Sequence, residues 1–247
     1  LTKTKNCFKG GDSCGSYWGR SDGQDKFAGH DISHTFVSGQ TLAYSYYMAV
    51  AQHNPDDERH AVIQKWLGNF IGDVKKRKLN DDFYWQGGMH TGGSWIHLLK
   101  QESQGKINKK WIKRILKEAN IQLNNDGSIK ERTTRGNRAL HYHNYVLNEI
   151  VINMEIANRY DVEIPEELHT KVQKAANIFI KGVNDHSYMN QWAKKAYNGV
   201  YKPGEQHFPK NIGKKPNSTS WWFIFQYRYA GTPEANKLAE MVKSVRN

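Results

Sequence analysis

The chain has 247 residues, which is long enough for a full hydrophobic core within one large domain. Lysine and arginine total 36 against 24 aspartate and glutamate residues, so the net charge is +12 and the surface should attract polyanions such as nucleic acid, anionic membrane or acidic polysaccharide. The longest apolar runs fall far short of the about 20 residues that cross a bilayer, which argues against a membrane-embedded protein.

Residues 1–36 are predicted to form an irregular N-terminal segment, ahead of one domain over residues 37–247. Glycines interrupt this segment, and no apolar period in it lasts more than a few positions. Cys7 and Cys14, the only two cysteines, are close together in this part of the sequence. They could form a disulfide in an oxidising compartment or remain free thiols. No basic and apolar leader begins the chain, so we expect that any export signal was removed or was never present.

From residue 37 onward, apolar residues recur at helical spacing and predict successive helices joined by short loops. Pro165 and Pro233, each followed by glutamate, indicate first helical turns, and Asn124–Gly127 indicates a tight turn. Alternating patterns are scarce, and the best short candidates, 83–86 and 199–202, would form only peripheral hairpins. We therefore predict an all-α domain of antiparallel helix pairs. The predicted helices span 37–52, 57–77, 93–103, 106–122, 139–160, 165–182, 187–197, 217–229 and 232–245.

The start of the predicted helix 139–160 concentrates polar and aromatic residues. Residues 135–145 contain two arginines, two histidines, two tyrosines and two asparagines. Arg138, His141 and Tyr145 lie on nearly the same helical face. A guanidinium beside a phenol suits chemistry on an anionic substrate, because the cation neutralises the anion and lowers the cost of forming phenolate. The alternative is a helix start that carries solvated polar groups.

Two other features of the sequence point to common structural roles. The basic clusters at 75–78 and 106–117 are typical of solvated helix faces, and no DNA- or RNA-binding signature accompanies them. We therefore expect neither nucleic acid nor a membrane as a partner. His141 and His143 diverge on a helix and no third ligand is evident, so we predict no metal site. His143 is expected to be a hydrogen-bonded packing residue.

The run 138–145, Arg-Ala-Leu-His-Tyr-His-Asn-Tyr, resembles the R-A-L-x-Y-H-N-Y motif of the alginate lyases of polysaccharide lyase family 5. Two weaker similarities follow, at Gly182–Asp185 and in the aromatic run Ser220–Arg228. Upstream, His90 matches the family's catalytic histidine and Trp95 loosely matches its tryptophan.

The chain departs from the family pattern next to that histidine. The asparagine that precedes it in the family is Met89 here, so one group expected to hold the substrate carboxylate is missing. The opening part of the family's longer chain also has no clear counterpart ahead of residue 37. These departures leave open which uronate the chain would accept.

The resemblance implies an α/α toroid, an incomplete barrel of antiparallel helix pairs, that cleaves an acidic, alginate-like or polymannuronate-like polysaccharide by β-elimination. Arg138 and His90 would neutralise the uronate carboxylate, and Tyr145, with a pKa lowered by these cations, would take the C5 proton and return a proton to O4. Neither a metal nor an organic cofactor is needed. We expect a secreted or periplasmic protein. Substrate-binding residues would be Arg228, Trp95, Tyr142, Asn144 and His141, with Asn144 a third carboxylate ligand if its side chain turns inward.

Several alternatives stay open at this point. Arg228 is equally typical of a surface ion pair, and Trp221 and Trp222 of a core. A glycoside hydrolase of the same architecture would need paired carboxylates, for which Glu149 and Asp31 are the nearest candidates. A non-catalytic polyanion-binding protein would bind with steep salt dependence and form no product.

Overall fold

The chain divides into two compact units, Leu1–Asn108 and Lys109–Asn247. The structure is a computed structural model. In the first unit, residues 59–63 are helical. The residues that the structure describes are 58–63, 65, 109–130, 132–193, 202–208 and 220–246.

Helices dominate the described part of the second unit, which confirms the predicted all-α class. Apart from an isolated antiparallel bridge between Leu123 and Ile129, residues 109–246 form no β-structure where they are described. No helix in the described ranges is long and apolar enough to cross a membrane. The helices are α1 (Lys109–Gln122), α2 (Ala139–Arg159), α3 (Glu166–Asn184), α4 (Asn190–Ala193), α5 (Ser220–Arg228) and α6 (Pro233–Arg246).

Most predicted helices of this unit agree with the observed ones to within a few residues. The prediction for 187–197 is wrong at its start, where the structure has a 3-10 turn, His186–Met189, before the short α4. Asp185 explains the turn, because its side chain accepts the backbone N–H of Ser187 at 2.9 Å and caps a new helical start.

Other predictions fall on residues outside the described ranges. These are the helices 37–52 and 93–103, most of 57–77, the irregular segment 1–36 with its two cysteines, the strand candidate 83–86 and nearly all of 199–202. The toroidal arrangement also stays a prediction.

Helix α2 lies at the centre of the second unit and packs against α1, α3 and α5. It is buried on several sides, which is why its apolar residues extend beyond a single stripe. The helix α5 is held against it by Trp221, whose backbone N–H donates to Asn148 Oδ1 at 3.2 Å. The apolar residues of α2 that are buried are Ala139, Leu140, Val146, Leu147, Ile150, Val151, Met154, Ile156 and Ala157.

The predicted turn Asn124–Gly127 is confirmed, and it packs directly on α3. Gly127 has a φ of +88°, and its N–H donates to Asn124 O at 2.9 Å. A Cβ at Gly127 would lie 2.5 Å from the carbonyl carbon of Lys174 and 2.6 Å from the nitrogen of Ala175. Glycine is therefore required twice, once by the left-handed backbone and once by the close approach of two backbones.

Candidate active site

A tight turn precedes α2 and carries the first arginines of the polar cluster. Gly136 is buried with a φ of +57°, and it begins the 3-10 turn Gly136–Arg138. The N–H of Arg138 donates to the carbonyl of Arg135 at 3.0 Å. Arg138 is exposed and occupies the position just before the helix, where a cation meets solvent and can meet an anionic ligand.

Four side chains at this end of α2 form one charged and aromatic cluster. The guanidinium carbon of Arg135 lies 4.4 Å from the centre of the Tyr142 ring, in a cation–π contact. His141 packs edge-on against the same ring, with centroids 5.1 Å apart. Burial lowers the pKa of His141, and the charge of Arg138 lowers it further, so the imidazole is neutral at pH 7. The structure thus brings Arg138, His141 and Tyr142 together.

Tyr145 is half-buried on the second turn of the helix. Burial raises the pKa of its phenol well above the ordinary value, and the charge of Glu149 and the nearby Tyr142 raise it further. The expectation that cations lower this pKa is therefore wrong for the resting protein. Desolvation of the phenolate is the largest cause, and Tyr145 rests as a neutral phenol that can donate a proton.

His143 is fully buried and bridges three parts of the second unit, which confirms its predicted packing role. Its Nε2 lies 2.9 Å from the carbonyl oxygen of Ala175, so Nε2 carries the proton and donates it. Nδ1 then accepts the hydroxyl of Thr133 at 2.8 Å, while that hydroxyl accepts the N–H of Ile129 at 2.7 Å. Burial lowers the pKa of His143 to about 4. Both ring nitrogens are occupied, so His143 cannot join His141 in binding a metal.

Asn144 does turn inward, but into the core rather than toward a ligand. Its side chain is 1% exposed, and its Oδ1 accepts the indole N–H of Trp221 at 2.9 Å. Trp221 in turn packs edge-on against Phe179 and Phe225, with ring centroids 5.3 and 5.8 Å away. The suggested role of Asn144 as a carboxylate ligand is replaced by a structural one. The expected core role of Trp221 is confirmed.

Arg228, at the end of α5, forms an ion pair. Its Nε and Nη2 donate to the two carboxylate oxygens of Glu155 at 2.7 and 2.6 Å. The guanidinium also lies over the ring of Tyr227, 5.2 Å from its centre. These contacts support the surface ion pair as the role of Arg228. Sugar binding by Arg228 stays a prediction.

The segment 202–208 packs on the start of α2 and was not predicted from the sequence. The N–H of Asn137 donates to Lys202 O at 2.8 Å, and the N–H of His207 donates to Asn137 O at 2.6 Å. Gln206 adds side-chain hydrogen bonds to Leu140 and Gly136. No local pattern could reveal these contacts, because the partners are 65 to 70 positions apart in the chain.

The remaining predicted site residues, His90 and Trp95, lie outside the described residues, as does Asp31. Of the two carboxylates considered for a hydrolase, Glu149 is half-buried one turn after Tyr145. Among the residues that the structure describes, no three side chains of histidine, cysteine, aspartate or glutamate form a group that would hold a metal ion.

Comparisons with known proteins give the family of the chain and one relative. A family model described as "Alginate lyase" matches residues 20–189. A protein of Stenotrophomonas maltophilia (strain K279a) named "Polysaccharide lyase" is 26% identical over 162 residues, which cover 61% of this chain and 45% of the relative. The chain therefore spans less than half of that relative's length. No solved structure matches the chain.

Proposed function

This chain belongs to the alginate lyase family, and from that premise we propose that it cleaves an acidic, uronate-containing polysaccharide by β-elimination. The observation that carries the proposal is the cluster at the start of α2, where exposed Arg138, neutral His141 and the phenol of Tyr145 share one helical face. A mannuronate polymer such as alginate is the substrate class that we favour.

Elimination requires the C5 proton of a uronate to leave while the C4–O4 bond breaks. Negative charge grows on the C6 carboxylate during this step, so a cation beside that carboxylate stabilises the transition state more than the bound substrate. Arg138 is our candidate among the described residues, with His90 assigned to the same task from the family resemblance. Substituting Arg138 should therefore lower turnover as well as binding.

Tyr145 is proposed as the residue that handles the protons. Its phenolate would take the C5 proton, and the phenol formed in this way would give that proton to O4 as the leaving group departs. The resting form is the neutral phenol, which must first lose its proton to solvent. Proton removal from C5 needs the phenolate, so the fraction of active enzyme should grow with pH while the pKa of Tyr145 stays above the assay pH. We accordingly expect kcat/KM to rise by up to about tenfold per pH unit on the alkaline side of neutrality.

The surroundings of the cluster suit a long anionic polymer. The net charge of +12 favours capture of a polyanion, and Tyr142, with His141 at its edge, offers an aromatic surface next to Arg138 for a neighbouring sugar. Trp95 is assigned to substrate binding from the resemblance alone. An α/α toroid and a secreted or periplasmic location belong to the same proposal. The proposed chemistry uses side chains only.

The test is ultraviolet absorbance of the conjugated C4=C5 double bond during incubation with polymannuronate, polyguluronate, glucuronan and hyaluronan. We expect the wild type to produce this signal on a mannuronate polymer, and Tyr145→Phe to lose at least about 1000-fold in kcat while it still binds substrate. Tyr160→Phe is the matched control, because Tyr160 ends the same helix at its far end and should keep full activity.

Other outcomes separate the competing functions. New reducing ends without the double bond would indicate a hydrolase, and salt-dependent binding without any product would indicate a binding protein. Substantial turnover by Tyr145→Phe would remove Tyr145 as the acid and base.

A further inference from the structure

The start of α2 has no capping side chain of its own. Arg138 occupies the position before the helix and its side chain makes no capping hydrogen bond. The first backbone N–H groups of any helix have no partner within the helix, and arginine cannot accept a hydrogen bond from them. The partner of the Leu140 N–H must therefore come from elsewhere in the chain.

Gln206 supplies that partner from 66 residues away. Its Oε1 accepts the N–H of Leu140 at 2.9 Å, and its Nε2 donates to the carbonyl of Gly136 at 3.0 Å. One side-chain amide thus joins both ends of the turn that has Arg138 in its middle. Gln206 is only 4% exposed, so water cannot readily replace these bonds if the amide is removed.

The rest of the segment 202–208 reinforces the same turn. The backbone N–H and C=O of Asn137 are both hydrogen-bonded to the segment. The side-chain Nδ2 of Asn137 lies 3.1 Å from Nε2 of His207. The segment itself is anchored, because the N–H of Gly204 donates to Asn190 Oδ1 at 3.0 Å and Gln206 Nε2 lies 3.2 Å from Gly204 O. The residues on both sides of Arg138 are therefore fixed by contacts from one distant segment.

We propose that Gln206 is a positioning residue for the elimination reaction, which holds the turn at residues 136–140 so that Arg138 is placed correctly relative to Tyr145. This inference rests on the proposed function. In this role Gln206 does not touch the reacting atoms and acts only through the turn. A displacement of about 1 Å between catalytic groups can cost up to about 100-fold in rate, so a lost cap at this position should reduce activity well beyond its effect on stability.

The experiment compares Gln206→Leu with Asn148→Ala in the full chain, with and without Arg138→Ala. The control is matched because Asn148 Oδ1 also accepts a buried backbone N–H, that of Trp221, farther along the same helix. We expect Gln206→Leu to lower kcat/KM by about 10- to 100-fold in the wild-type background and by less than about threefold when Arg138 is already alanine. Asn148→Ala should change kcat/KM by less than about twofold despite a comparable loss of thermal stability.

A second variant keeps the test decisive if Gln206→Leu fails to fold. Gln206→Asn keeps both the amide acceptor and the amide donor on a side chain one methylene shorter, so it should lose less activity than Gln206→Leu and keep part of the protection of the Leu140 amide from hydrogen exchange. Equal losses from Gln206→Leu with and without Arg138 would show a purely structural role and overturn the inference.

The inference and the proposed function fail in different ways. If the wild type makes no unsaturated product from any polyuronate, the proposed function is overturned and the inference falls with it. If the wild type is active and the Gln206 variants match the Asn148 control, only the inference is overturned.

Discussion

The two ends of α2 use the same helix for different purposes. At the start, Arg138 is exposed and His141 and Tyr142 are half-exposed, and the helix is capped by a distant glutamine. At the far end, Met154 and Ala157 are buried. The core side of the start is buried as well, at Ala139, Leu140 and His143, so the two ends differ in the exposed face of the first turns. The start carries no capping side chain of its own, and Gln206 supplies the cap from outside the helix.

The two histidines of the motif show the same contrast over a distance of two residues. His141 faces the charged cluster, and Arg138 helps to lower its pKa. His143 faces the core and has both nitrogens bonded to other parts of the second unit. A histidine in such a motif can therefore be assigned to catalysis only when the face of the helix on which it lies is known.

The largest expected effect is on kcat/KM, and it should distinguish a substitution at the start of α2 from one at its last turn. Arg138→Ala should lower kcat/KM by about 100- to 1000-fold, because a charge that stabilises the transition state is removed. Arg159→Ala, at the exposed last turn of the same helix, should change it by less than about twofold. Steady-state kinetics on polymannuronate measure both. Comparable losses from the two variants would mean that the positive charge acts only through the overall field.

The next effect is on the free energy of unfolding, and it concerns the packing of the turn at Gly127 on α3. Gly127→Ala should lower the free energy of unfolding by about 3 kcal/mol, because it adds left-handed strain and a clash with the backbone of α3. Gly231→Ala is the matched control, since Gly231 has the same φ of +88° with no atom within 4 Å of a Cβ, and should cost about 1 kcal/mol. Denaturant unfolding gives both values, and equal losses would refute the close approach at Gly127.

A smaller effect follows from the depressed pKa of His143. The folded state holds its pKa at about 4, below the ordinary 6.5, so the unfolded state binds more protons between these values. The resulting stability is present above pH 6.5 and is lost as the pH falls toward 4, by about 2 kcal/mol between pH 7 and pH 5. Thermal unfolding at several pH values should show this slope.

Two variants identify the source of that slope. His143→Gln should reduce the slope, and His207→Asn, which changes an exposed histidine, should leave it unchanged. An undiminished slope in His143→Gln would assign the pH dependence to other groups.

The smallest effect is expected at the Arg228–Glu155 ion pair. Arg228→Ala should lower the free energy of unfolding by less than about 1 kcal/mol and leave KM within about twofold, since the pair is partly exposed and its guanidinium is occupied. Glu155→Gln weakens the pair while keeping Arg228. A rise of KM in the first variant together with a fall in the second would restore Arg228 as a sugar ligand.

The helices were predictable because their signals are local. The apolar period of 139–160 and the Pro-Glu starts near residues 165 and 233 reflect contacts within a few turns, and the observed helices follow them closely. The role of Asn144 was not predictable, and the two alternatives for Arg228 could not be separated, because the partners of these residues lie 77 and 73 residues away. Residue type alone does not tell whether such a side chain meets a ligand or another helix.

The pKa of Tyr145 shows why composition is a poor guide to electrostatics. The neighbouring arginines suggested a lowered value, yet desolvation of a half-buried phenol dominates, and Glu149, one turn later on the same helix, adds to it. Burial is a property of the folded chain, and the sequence around residue 145 gives no measure of it. The motif therefore could not predict the ionisation of Tyr145, and its assignment of the site residues stays a prediction.

The distant cap on α2 also sets an order of assembly. The N–H of Leu140 donates to Gln206 Oε1, and Gln206 is synthesised 66 residues after Leu140. A nascent chain that ends before Gln206 can therefore form the body of α2 but not the capping hydrogen bond of its first turn. The hydrogen bonds in the body of the helix are local, whereas its first turn needs a loop of this size to close, which has an entropic cost. The cap at the start of α2 therefore depends on a long-range contact that the rest of the helical hydrogen bonds do not need.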